Sequence, residues 1–238
     1  MASIMRKEAR VAAGLVVLGI AASAVVFALS ERSREESMAL PGGGANVVVE
    51  GDSITAGIGA TRFDRSWTPM LLASYSAGEV AGLSNVATSG DDLPQMLAEA
   101  PLEVDPRFLK GRTNIAVLFG GTNDINNVVA PDPQAVFGNY KAWCDARRAR
   151  GFKVVAVTIL PRVMRANPNG EADRQAVNRL IRARWPAFAD ALVDIGSDPL
   201  MGQAGQYASA YYRDGVHPAD SGHARIAAAM KPAVDSLR

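Results

Sequence analysis

Five short apolar runs rich in β-branched residues alternate along this chain with five longer stretches of helical spacing. That alternation restricts the fold more than any other feature. The runs are residues 46–50, 80–87, 114–119, 153–159 and 191–195. Between and after them, residues 66–76, 91–99, 133–150, 171–185 and 219–237 place apolar side chains at helical intervals, and several open on Ser, Asp or Pro as helix starts do. Strand and helix in this order predict an α/β domain with a mostly parallel, five-stranded sheet. Such strands read as nearly continuous apolar runs because helices cover both faces. With 238 residues, 48% of them hydrophobic, the chain can bury one full core, and no internal repeat divides it. The folded domain is expected at residues 46–238.

The N-terminus follows different rules. Arg6, Lys7 and Arg10 precede an unbroken small and apolar run at residues 11–29, and Glu31, Arg32, Arg34, Glu35 and Glu36 follow it. Because no polar face interrupts this run, residues 1–30 are expected to form a hydrophobic helix directed to the membrane. Its length approaches a bilayer span and exceeds the usual apolar region of a cleaved signal. Ala22-Ser23-Ala24 and Ala28-Leu29-Ser30 still offer cleavage sites, so signal peptide and membrane anchor both stand as readings. Under either, the basic flank stays in the cytoplasm and the rest is exported, extracellular or periplasmic, with the membrane as a partner if the segment is uncleaved. Residues 31–45 mix charges and end in Pro41-Gly42-Gly43-Gly44, the composition of a linker.

Charge excludes one class of partner. Beyond residue 40 the basic and acidic side chains number 20 each, so the domain lacks the basic field that nucleic acid requires. The single cysteine, Cys144, cannot form an internal disulfide and sits in a helical pattern beside Trp143, where it reads as a packing residue. Arg147, Arg148 and Arg150 fall at a helix end before Gly151, where cations complement the helix dipole. Arg179, Arg182 and Arg184 read as a solvated helix face. Residues 196–213 form the longest stretch without periodicity, and Tyr207, Tyr211 and Tyr212 within it are either loop packing or a substrate wall.

The chemistry lies where strands end. Open parallel sheets bind ligands outside the carboxyl ends of their strands. Gly51-Asp52-Ser53 follows the run ending at Glu50, which would set the Ser53 hydroxyl at that edge. Alone, Gly-Asp-Ser is an ordinary helix cap. A serine nucleophile needs a base, and the chain has two histidines. His223 falls inside a helical pattern and reads as structural. His217 lies in Asp214-Gly215-Val216-His217-Pro218, where Asp214 can accept the ring N–H and fix the tautomer. Ser89-Gly90-Asp91 and Gly121-Thr122-Asn123-Asp124 close two further strands. The backbone N–H groups of Ser53 and Gly90 and the Asn123 side-chain amide would supply three donors for an oxyanion. The two histidines form no recognisable metal set, and neither a Walker loop nor a Gly-x-Ser-x-Gly elbow occurs.

These blocks, in this order, resemble those of the SGNH hydrolases, also called GDSL-type esterases or lipases. Thr158-Ile159-Leu160-Pro161 is similar to the end of the family's fourth strand, and Gly222-His223 with Ile226-Ala227 to its last helix. The resemblance spans the domain from Val47 onward. It implies a flavodoxin-like three-layer α/β/α sandwich, with Ser53 as nucleophile, His217 as base, Asp214 as its orienting acid, and Ser53, Gly90 and Asn123 as the oxyanion hole. It implies no metal and no organic cofactor. Ala87-Thr88-Ser89-Gly90 departs from the pattern in lacking the Asn and extra Gly that many members carry just upstream. The expected function is an exported or membrane-tethered serine esterase acting on small-molecule or glycan esters, with small acyl groups or acetylated carbohydrate ahead of long-chain lipid. An acyltransferase on envelope polysaccharide would use the same residues. A carbohydrate-binding domain without catalysis is the alternative from another class.

Overall fold

The computed structural model describes residues 38–39 and 44–238. Six strands form one sheet: β1 (Met38–Ala39), β2 (Ala45–Gly51), β3 (Val80–Asn85), β4 (Asn114–Phe119), β5 (Lys153–Val157) and β6 (Ala191–Val193). Their order is β1-β3-β2-β4-β5-β6. Strands β2 to β6 are parallel, whereas β1 pairs antiparallel with β3, Met38 opposite Leu83 and Ala39 opposite Gly82. The five parallel strands match the expected sheet, and β1 is an addition to it. The segment read as a linker over residues 31–45 thus overlaps the sheet at both Met38–Ala39 and Ala45. An edge strand presents unpaired backbone groups, and an extended chain passing β3 can satisfy them whatever its side chains. The apolar segment at residues 11–29 lies outside the described residues. Among the described residues no helix is long and apolar enough to cross a membrane.

Every residue of β2 and β4 is buried, so each strand contributes side chains to both layers. Val47, Val49, Ile115, Val117, Val155 and Val157 pack beneath α1 (Trp67–Ala73) and α6 (Asp220–Asp235). Val48, Ala116, Leu118, Val154 and Ala156 pack beneath α2 (Leu93–Glu103), α4 (Pro133–Arg150) and α5 (Gly170–Arg184). Each fully buried Val contributes about 1.5 to 3 kcal/mol. A one-turn helix, α3 (Thr122–Asn126), follows β4. Cys144 is buried in α4, in keeping with a packing role. Arg147, Arg148 and Arg150 fall in the last turn of α4 before Gly151, as expected, and Arg147 is also buried and pairs with Asp105 at 3.0 Å. Arg182 likewise pairs with Asp194 at 2.8 Å instead of standing free on a solvated face.

The strands end where polar side chains divert the backbone. Asn85 turns its amide to the Thr55 carbonyl (2.8 Å) and accepts the Ala87 N–H (3.1 Å), which stops β3 short of residue 87. Thr158 donates to Asp194 (2.9 Å) and accepts the Gly196 N–H (2.7 Å), ending β5 at Val157. Helix α2 starts at Leu93, two residues later than its pattern indicated. Asp92 caps it through a reciprocal pair with Gln95, while Asp91 is buried ahead of it. The chain leaves β2 towards β3 on one side and later adds β4 on the other. The crevice between the carboxyl ends of β2 and β4 is therefore the topological switch point. At the opposite edge of the sheet, Gly44 and Arg238 line one cleft with Glu79, which accepts from Arg238 at 3.1 Å.

Candidate active site

The turn after β2 is built to hold Ser53 at the switch point. The buried Asp52 carboxylate accepts the Ile54 N–H at 2.9 Å, the Ala56 N–H reaches the Asp52 carbonyl and the Ile58 N–H the Ser53 carbonyl, both at 2.9 Å. Burial pushes the Asp52 carboxyl up to about 7 against the opposing Ile54 bond and the Arg162 charge. Ser53 itself is 7% exposed. Its hydroxyl donates to His217 Nε2 at 3.0 Å, and His217 Nδ1 donates to Asp214 Oδ2 at 2.7 Å. An ionised carboxylate only accepts, so the proton belongs on Nδ1 and Nε2 is left free to receive one.

Its own turn and two distant segments hold His217 there. Asp214 Oδ1 accepts the N–H groups of Val216 (3.0 Å) and His217 (2.8 Å), and the Arg213 N–H closes the turn on the His217 carbonyl (2.9 Å). Partial burial tends to raise the Asp214 carboxyl, but these donors and the imidazole hold it down at about 2. The Gly215 carbonyl accepts from the Val163 N–H beyond β5 at 2.8 Å. Gly59, at φ +98°, lies so close that a Cβ there would stand 2.3 Å from the Pro218 carbonyl and 2.9 Å from His217 Cβ. Asp220, at the start of α6, accepts the Thr61 N–H (2.8 Å) and hydroxyl (2.7 Å), tying the two loops together.

The other candidates meet on the β3 and β4 side. Asn123, in the first turn of α3, donates through Nδ2 to the Asp91 carbonyl at 2.8 Å, next to Gly90. Asp124 accepts the Leu93 N–H at 3.0 and 3.2 Å, so α3 also braces the start of α2. Gly90 sits at φ +97° with open space where a Cβ would be. Among the described residues neither the Ser53 nor the Gly90 N–H has an acceptor. The Thr88 N–H bonds the Gly51 carbonyl at 3.2 Å, which draws the Gly90 turn to the end of β2. The structure thus brings Ser53, His217 and Asp214 into one line and Gly90 and Asn123 to the same sheet edge. Such an arrangement can remove a hydroxyl proton and offer donors to a developing oxyanion.

The second histidine stays apart from this line. His223 is buried in α6 and donates through Nε2 to the Ile58 carbonyl at 3.2 Å, and burial pulls it down to about 4. Of the three loop tyrosines, Tyr212 is buried with its hydroxyl on the Met201 carbonyl (2.8 Å), which makes it packing. Tyr211 lies under Arg225, 5.9 Å from guanidinium to ring centre. Tyr207 approaches Gly215, with its ring 3.9 Å from the position of a Cβ there. The pattern of the sequence missed Gly59 and Arg162. Gly59 stood among small residues that signalled only a turn, and Arg162 followed Pro161 with nothing to mark its burial.

Fold and site together define the class: an α/β/α hydrolase working at the carboxyl edge of a parallel sheet. The profile of the GDSL-like lipase/acylhydrolase family matches residues 49–225, and the chain belongs to that family. It is a serine hydrolase acting on ester bonds. Solved structures share the fold at low identity. TesA is 24% identical, with a TM-score of 0.65 over 81% of this chain and 99% of its own. A GDSL-like lipase from Bacteroides thetaiotaomicron is 20% identical, with a TM-score of 0.63 over 81% and 89%. A catalytic mutant of Axe2, an acetylxylan esterase from Geobacillus stearothermophilus, is 14% identical, with a TM-score of 0.62 over 81% and 95%. No curated protein matches the chain.

Proposed function

We propose that the chain is an exported or membrane-tethered esterase that cleaves small-acyl or acetylated carbohydrate esters through an acyl-enzyme on Ser53. Ser53 Oγ attacks the ester carbonyl as its proton passes to His217 Nε2, and Asp214 holds the imidazolium through Nδ1. The oxyanion takes hydrogen bonds from the Ser53 and Gly90 N–H groups and the Asn123 amide. The carbon–oxygen bond to the alcohol then breaks, and the alcohol leaves with the proton from His217. Water repeats the sequence, giving its proton to His217 and releasing the acid and Ser53. The observation that carries this reading is the continuous line from Ser53 Oγ through His217 to Asp214, at 3.0 and 2.7 Å. The acetylxylan esterase sharing the fold supports small acyl groups on sugars as the first substrates to try.

The test is hydrolysis of 4-nitrophenyl esters from acetyl to long acyl by the full chain, with Ser53→Ala alongside and fluorophosphonate labelling of both. Turnover of short esters and labelling, both lost in Ser53→Ala, are expected. Labelling without hydrolysis would redirect the acyl-enzyme to transfer. Preference for long chains would overturn the substrate assignment, and labelling that persists in Ser53→Ala would overturn the nucleophile.

A further inference from the structure

Three arginines are buried among the described residues: Arg147, Arg162 and Arg174. Arg147 pairs with Asp105 at 3.0 Å and Arg174 with Glu171 at 2.6 Å. Arg162, 9% exposed, has no carboxylate in ion-pair contact among the described residues; its bonds are two long ones, Nε to the Val163 carbonyl at 3.4 Å and Nη1 to the Thr122 hydroxyl at 3.5 Å. A buried charge is costly unless paired, and a guanidinium does not escape by losing its proton. Nη2 bonds nothing among the described residues. Unlike Arg147 Nη1 and Arg182 Nη2, however, it is not sealed from solvent. One edge of the fork is therefore open.

The groups that hold the rest of the fork border the site. Thr122 adjoins Asn123, and Val163, which follows Arg162, holds the Asp214-His217 loop through Gly215. The charges acting on Arg162 are those of Asp52, Arg165 and Asp214. Neither carboxylate stands in ion-pair contact with it: Asp52 Oδ1 accepts the Ile54 N–H, and Asp214 accepts from His217 and two backbone donors. Arg165 is exposed and adds a second positive charge. A guanidinium held on two nitrogens, with its third open, fits a carboxylate better than any neutral group.

We infer that Arg162 is a specificity-determining residue that binds a carboxylate carried by the ester substrate. This rests on the esterase reading above and names a feature of its substrate. The test compares matched esters with the full chain: 4-nitrophenyl hemisuccinate against 4-nitrophenyl butyrate for a carboxylate on the acyl side, and 4-acetoxybenzoate against phenyl acetate for one on the alcohol side. In at least one pair the charged-to-neutral ratio of kcat/KM should fall tenfold or more in Arg162→Gln, mainly through KM, and by less in Arg162→Lys. Equal losses on charged and neutral esters would assign Arg162 to support of the Asp52 turn and overturn the inference. A second readout needs no turnover: succinate and 4-hydroxybenzoate are titrated into Ser53→Ala with and without Arg162→Gln by calorimetry. At least one should bind only where Arg162 is present, and binding of neither, or equal binding to both variants, would overturn the inference. Loss of neutral-ester turnover from the unmodified chain would instead count against the esterase reading.

Discussion

At the scale of single residues, the site separates positions that act by their own chemistry from positions that act by leaving room. Ser53, His217 and Asp214 are of the first kind. Ser53→Ala and His217→Ala should each lower kcat by at least a thousandfold, and Asp214→Asn by up to about 10⁴-fold, because the amide favours the wrong imidazole tautomer. Thermal midpoints should stay within a few degrees of the parent, and calorimetry alongside the kinetics would check this. These residues were legible in the sequence because each stands in a short motif whose meaning is local: Gly-Asp-Ser after a strand, Asp-x-x-His before a helix. Gly59 is of the second kind. A methyl group there meets the Pro218 carbonyl at 2.3 Å, in a backbone conformation that alanine resists. Gly59→Ala is expected to cost about 1 to 3 kcal/mol and to lower kcat by displacing His217, measurable by denaturant titration and steady-state rates. Its partner is more than 150 residues away, so no local pattern could announce it. Arg162 was hidden because nothing beside it in the sequence marks its burial.

At the scale of elements, α3 does more than present Asn123. Asn123 holds the Asp91 carbonyl and Asp124 holds the Leu93 N–H, so one short helix fixes both ends of the link between the Gly90 turn and α2. Burial raises the Asp124 carboxyl to about 6 against the Leu93 bond. Removing this acceptor with Asp124→Ala should cost about 1 to 3 kcal/mol by orphaning a buried N–H. It should also lower kcat more than it raises KM, since the loosened turn carries an oxyanion donor; urea unfolding and steady-state kinetics would show both. The alternation of strands and helices was legible to within a few residues because both periods are written in apolar spacing. The exact strand ends were less so, since Asn85 and Thr158 end their strands through partners that only the fold supplies. Strand β1 could not be read at all, because two residues paired through their backbone leave no side-chain pattern.

At the scale of the whole molecule, buried titratable groups set opposing pH dependences. His223 is held down at about 4 by burial, so between pH 4 and its ordinary value of 6.5 the unfolded chain binds the extra proton and stability rises with pH. Asp52 is raised from 3.8 to about 7 by burial, so the folded state binds the extra proton and stability falls as pH rises through that interval. Asp91, pushed up to about 7 by burial and then by the Glu99 charge, adds to the falling slope. In His223→Gln the rising contribution is removed. The destabilisation caused by this substitution should therefore be greater at pH 7 than at pH 4, by up to about 3 kcal/mol, as read from urea titrations across that range. A difference of the opposite sign would contradict the assignment of His223 as a buried neutral base. The cleft shared by Gly44 and Arg238 has a practical corollary. Because Arg238 lies in that cleft, at the edge of the sheet away from the catalytic crevice, immobilisation through residue 238 would leave the crevice facing outward.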